Sequence, residues 1–127
     1  MNENVVFSAP SVSQRAYIYA LKNRRNIQLP LVAEFKKRID YVYERLCNIP
    51  TMSSLPPSGT FYLFVNINKT GLSSEEVSRI IFEKAHVITI PGTAFGTNGE
   101  GYIRLACTLN TDVLKDAFDR IEKLNFL

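Results

Sequence analysis

The chain has 127 residues, 46% of them hydrophobic and 21% charged, with a formal net charge of +3. That length predicts one domain able to bury roughly two-thirds of its unfolded surface, and so mild a charge does not mark a nucleic-acid binder. No stretch approaches the roughly 20 apolar residues of a membrane span.

Cys47 and Cys107 are too few and too far apart for a disulfide framework or a zinc site. The opening MNENVVFSAP lacks the basic and apolar regions of a signal peptide, so a cytoplasmic protein with two reduced thiols is expected. The basic clusters KNRR at 22–25 and KKR at 36–38 read as solvated surface.

In chain order, Pro10 marks a boundary, and Val12, Ala16, Tyr19 and Ala20 space a helix over residues 11–21. The polar run 22–28 interrupts it. Pro30 suits the first turn of a second helix, with its stripe at Leu31, Phe35, Ile39, Val42 and Leu46 and its end at Asn48 and Pro50. A Pro/Ser loop at 51–58 leads into TFYLFVNI, 60–67, the best strand. Phe61, Leu63, Val65 and Ile67 share one face; Thr60, Tyr62, Phe64 and Asn66 share the other. Apolar groups on both faces predict a central strand covered on both sides, on one by this domain's helices and on the other by something outside the 127 residues.

After a turn at Gly71, Ser73 and Glu76 spell a capping box, with Leu72 and Val77 as its staple. The helix that follows buries Val77, Ile80, Ile81 and Ala85. Strands are predicted at 87–90 and 102–109, separated by a loop holding Pro91, Gly92, Gly96, Gly99 and Gly101. Asn110 or Thr111 caps a last helix with its stripe at Val113, Leu114, Ala117, Phe118, Ile121 and Leu124. The order α-α-β-α-β-β-α predicts an α+β fold, a small mixed or antiparallel three-stranded sheet with helices on one face. Residues 1–48 form a helical lead-in and 49–127 the β-α-β-β-α core.

Chemistry concentrates at Arg104. Alternation puts it with Tyr102 and Ala106, opposite the core-facing Ile103, Leu105 and Cys107. A guanidinium on a strand needs a counter-charge, and the nearest acid in sequence is Glu100. The partner is either a structural carboxylate or a ligand anion, which an Arg fork binds bidentately. His86, the lone histidine, has no second base or nucleophile beside it in a motif, and Glu75 and Glu76 suit a helix N-terminus better than acid–base work. GTNGEG is neither a dinucleotide nor a phosphate-loop motif.

PPSGTFYLFVNI (56–67), LSSEEVSRIIFEKAHVITIPGTAFGTNGEGYIRLA (72–106) and the closing helix resemble the C-terminal small domain of class I, fold-type I aminotransferases, which depend on pyridoxal phosphate. Pro-x-Gly-Thr-Phe-Tyr, Pro-Gly-x-x-Phe-Gly and Gly-x-Gly-Tyr-Ile-Arg-Leu carry the resemblance. Residues 8–48, with Pro10, Gln14 and the Lys36-Lys37-Arg38 helix, are similar more loosely to the helices preceding that domain. The resemblance implies that Arg104 binds the substrate α-carboxylate and that Phe95 lines the substrate side of the pocket. Tyr62 borders it, Phe61 packs in the core, and Gly92 and Gly96 shape the loop.

It also implies a missing part. The family's Schiff-base lysine, the aspartate on the pyridine nitrogen and most phosphate contacts lie in a large domain, and no lysine here sits in a matching motif. A chain resembling only the small domain is expected to bind no pyridoxal phosphate and to be inactive alone. The parent would transfer amino groups between an amino acid and a 2-oxo acid as a homo-oligomer, without nucleic acid or membrane. The alternative is a non-catalytic module that self-associates through the face normally docked on the large domain.

Overall fold

A computed structural model describes residues 8–126. The chain divides into two compact units, Met1–Ala33 and Glu34–Leu127. In the first, helix α1 (Ser11–Lys22) buries no residue. It ends where the Asn23 side chain donates to the Tyr19 carbonyl at 2.9 Å. Helix α2 (Arg24–Leu46) begins at Arg24 rather than at Pro30, which lies inside it. Arg24 donates to Gln28 one turn on at 2.7 Å, and the proline removes only one backbone bond in a stretch exposed on all sides. Several large apolar residues of this unit, among them Tyr17, Ile18, Leu29 and Leu31, are exposed.

The second unit holds the core. Ile39, Val42 and Leu46 of α2 are buried there, and Phe35 is half-buried. Strand β1 (Tyr62–Asn66) pairs antiparallel with β3 (Tyr102–Ala106), which pairs antiparallel with β2 (Ile90–Pro91). The sheet order is β1-β3-β2. Helix α3 (Ser74–Ile80) continues as a wider π turn through Ala85, and α4 is Thr111–Ile121. Leu63, Val65, Ile67, Ile103, Leu105 and Cys107 meet Val77, Ile81, Ala85, Leu114, Phe118 and Ile121 in one core, so the helices of this unit cover one face of the sheet.

Local signals act as read. Ser73 and Glu76 form the capping box, and the Asn110 side chain accepts from the Val113 N–H at 3.0 Å. His86 is exposed, closing the π turn at φ 55°.

Two strand expectations are corrected. The strand expected over 60–67 is not central: β3 is, with β1 at an edge and Ser53 adding one bridge to Asn66. Within this chain its outer face is open, Phe64 being 43% exposed. The apolar residues there gather around Arg104 rather than enter a second core. The strand expected at 87–90 pairs only from Ile90, and Pro91, having no N–H to give, suits that edge.

Candidate functional site

The register assembles the outer face of the sheet around one residue. Arg104 lies opposite Phe64 of β1 on one side and Ile90 of β2 on the other. Tyr62 and Tyr102 follow on the same face by alternation. The Arg104 guanidinium lies over the Tyr62 ring at 4.4 Å and over the Phe95 ring at 4.9 Å. Arginine stacks on aromatic faces through the ring quadrupole and its own planarity, so the two rings hold the fork without consuming its hydrogen bonds. Its Nε is buried without a partner, and no hydrogen bond or ion pair reaches the guanidinium among the described residues. A buried, unpaired donor is costly.

Glu100 does not pair with Arg104. Its carboxylate accepts from the Ser74 N–H at 2.8 Å and lies 3.2 Å from the Ser74 hydroxyl. These bonds, that to the Ser74 N–H foremost, hold Glu100 below the usual carboxylate range. The same Ser74 oxygen accepts from the Gly101 and Tyr102 N–H groups at 3.0 and 3.3 Å. Gly101 turns the chain at φ 81°, a conformation suited to glycine. The clamp thus ties the start of β3 to the start of α3 and keeps the acid nearest in sequence engaged elsewhere.

Phe95 ends the short turn Gly92–Phe95 and is 55% exposed. Gly92 and Gly99 of this loop meet backbone to backbone, each where the other's Cβ would stand. Phe61 packs on Phe35 and Tyr62, at 5.5 and 4.3 Å between ring centres. The structure therefore brings Tyr62, Phe95 and Arg104 together and leaves Phe61 to packing.

Two further rings complete the face. Phe64 stacks on Tyr102, with centres 5.0 Å apart and planes 7° from parallel, and meets Phe95 edge-on at 6.2 Å. Alternation placed Tyr102 on the Arg104 face of its strand, but only the β1–β3 pairing sets Phe64 opposite Arg104. A groove of about 750 Å³ runs between the loop at 53–60 and these rings. Thr60, which lines it, holds φ 61°, strained for a β-branched residue. Nothing in the sequence singles out Ser74 or Thr60 for these positions.

Fold and site together define a small α+β unit with an arginine on the outer face of its sheet that makes no hydrogen bond or ion pair among the described residues. Residues 1–121 match the family described as aminotransferase class I and II, and the chain belongs to it. It is 40% identical over 121 residues to an aspartate aminotransferase of Pyrococcus horikoshii, covering 94% of this chain and 31% of that protein. It is 38% identical over 113 residues to aromatic-amino-acid aminotransferase 2 of Thermococcus litoralis, covering 87% and 29%. A tetra mutant of Thermus thermophilus aspartate aminotransferase shares the fold, with TM-score 0.86 and 23% identity over 98% of this chain and 34% of that one. The chain spans about a third of the length of the curated relatives it matches.

No helix among the described residues is long and apolar enough to cross a membrane. Nor does any group of three or more His, Cys, Asp or Glu among them suit a metal.

Proposed function

We propose that this chain contributes the carboxylate-binding side of an aminotransferase that uses pyridoxal phosphate to move amino groups between an amino acid and a 2-oxo acid. The observation that carries the reading is Arg104, stacked between Tyr62 and Phe95 with no partner for its fork. A carboxylate matches that fork bidentately, with charge-assisted bonds worth about 1.5–3 kcal/mol each. The stack then fixes the direction of the bound acid, and so the orientation of the bonds at its Cα. Pro-Gly-x-x-Phe-Gly brings Phe95 to one side of the fork, and the glycine contacts hold that loop close to β3.

These residues do not fit as holders of the cofactor. A lysine serving as its anchor must have its amine drawn out of water or placed beside another cation, and Lys22, Lys36, Lys37, Lys69, Lys84, Lys115 and Lys123 are all exposed. No cofactor step is assigned to this chain, and the 127 residues by themselves carry out no amino transfer. In the catalytically complete enzyme, Arg104→Lys raises KM and lowers kcat, because an ammonium cannot reproduce the fork. A kcat/KM for amino acids unchanged by Arg104→Lys rules the reading out.

Self-association is a second reading, supported by the exposed apolar residues of α1 and the start of α2. Sedimentation that resolves one monomeric species at every concentration eliminates it.

A further inference from the structure

The two rings that flank Arg104 are held by different means. Tyr62 lies on β1, and the β1–β3 ladder, from Tyr62↔Ala106 to Asn66↔Tyr102, fixes it against the strand that carries the arginine. Phe95 lies outside the ladder, on the loop between β2 and β3. That loop is closed on itself. The Gly96, Gly99 and Glu100 N–H groups donate to the Thr93, Gly96 and Thr97 carbonyls at 3.1, 2.9 and 3.3 Å. A loop built this way is placed by its ends. At its start β2 gives only Ile90 and Pro91 to the sheet. At its finish Glu100 and Gly101 meet Ser74.

That second end is saturated with bonds. The fully buried Ser74 hydroxyl has one hydrogen to give and two lone pairs to offer. The hydrogen goes to Glu100 Oε1 at 3.2 Å, and the lone pairs take the Gly101 and Tyr102 N–H groups at 3.0 and 3.3 Å. The Ser74 N–H donates to the same Glu100 oxygen at 2.8 Å. On its other side, the Gly101 carbonyl accepts from the Ile67 N–H, just past β1, at 2.9 Å. The loop end is thereby fastened to α3 and to β1 at once. From there contacts lead back to the arginine. Tyr102 stacks on Phe64, Phe64 meets Phe95 edge-on, and the guanidinium lies over Phe95 at 4.9 Å.

We infer that Ser74 and Glu100 are positioning residues for the arginine: their clamp sets the end of the Phe95 loop and so places the second ring against the guanidinium. The inference rests on the carboxylate reading of Arg104 and adds the device that orients its fork. Both residues act through the loop, since their own bonds go to each other and to the start of β3. With Tyr62 alone beside it, the guanidinium turns more freely about its stem and presents one N–H to an acid more often than two.

The test applies nuclear magnetic resonance to the full chain, with pyruvate as the probe acid. The wild-type chain is expected to show through-space contacts from the Arg104 Nε–H to both the Tyr62 and the Phe95 rings. Ser74→Ala and Glu100→Ala keep the contact to Tyr62 and lose that to Phe95. They bind pyruvate about tenfold more weakly, the loss of one bond of the fork. Glu100→Gln, whose amide oxygen still accepts from the Ser74 N–H, restores most of both. Ile121→Val trims the buried face of α4, lowers the melting temperature, and leaves both ring contacts and the affinity as they were. The Glu100 side chain is exposed, so Glu100→Ala folds and carries the test even where Ser74→Ala does not.

A Phe95 contact that survives in either folded Ala variant, or a pyruvate affinity unchanged by both, overturns the positioning role and leaves the carboxylate reading standing. So does an Ile121→Val chain that loses the Phe95 contact to the same extent. Pyruvate bound by no chain, wild type included, overturns both.

Discussion

Ser74 and Ser78 sit one turn apart on α3, both buried, and the structure assigns them opposite energetic signs. The Ser74 hydroxyl accepts two backbone N–H bonds from Gly101 and Tyr102 and lies against Glu100. Ser78 Oγ is buried with no partner. Replacing Ser74 by Ala removes an acceptor from both N–H groups, of which that of Gly101 keeps the Glu100 carboxylate. At about 1–3 kcal/mol for an orphaned buried group, Ser74→Ala costs about 1–3 kcal/mol. For a unit of this size that is a melting shift on the order of 5–15 °C.

Ser78→Ala removes a polar atom that gains nothing, and is expected to be neutral or to stabilise by up to about 1 kcal/mol. Urea unfolding followed by far-ultraviolet circular dichroism measures both, with the slope m held as the check that only stability has moved. Equal losses from the two substitutions, or a Ser74→Ala change under about 0.5 kcal/mol, would refute the clamp.

The glycine loop gives a second expectation. Gly92→Ala and Gly99→Ala each force backbone apart and cost about 1–3 kcal/mol or more in unfolding experiments, and the double variant costs less than the sum because one contact is lost twice. Arg45 joins α2 to α4 through bonds to Glu122 at 2.6 Å and Asp119 at 2.7 Å, and also donates to the Tyr41 hydroxyl. With its side chain only 17% exposed, Arg45→Ala costs about 2 kcal/mol, and Arg45→Lys recovers less than half of that. Burial pushes the Cys107 thiol up to about 12, whereas Cys47 is exposed. A disulfide reagent should therefore modify one thiol in the folded chain and the second only on unfolding.

Acid should weaken the fold. Glu76, Glu100 and Asp119 are each held low, first by the Ser73 N–H, the Ser74 N–H and Lys115 respectively. Their folded pKa values lie below the unfolded ones near about 4, so their contribution is whole above that range and is lost as pH falls through the folded values. A melting temperature that rises on acidification would contradict this.

What could be read from residue order was mostly local. The Ser73–Glu76 box and the Asn110 cap depend on neighbours within a turn and form as written, whereas of the α2 stripe only Ile39, Val42 and Leu46 are buried and Leu31 is exposed. Pro30 misled because a helix start and a tolerated interior proline look alike when the surrounding stretch is solvated. Strand 60–67 looked central because hydrophobic patterning cannot tell a face packed on helices from one built around a guanidinium. Glu100, the acid nearest Arg104 in sequence, is carried by the turn at Gly101 to Ser74, 26 residues upstream. Alternation did group Tyr62 with Phe64 and Tyr102 with Arg104, and the β1–β3 register puts the two groups on one side. Their stacking, the groove and the absence of a partner arise from long-range pairing.

The central claim is that Arg104 binds a carboxylate. Equilibrium binding of a simple 2-oxo acid to the full chain and to Arg104→Gln addresses it most directly, with the melting temperature of each recorded alongside. The wild-type chain should bind one acid saturably and be stabilised as the acid is added, and the variant, equally well folded, should do neither. Equal binding by the two chains would contradict the claim.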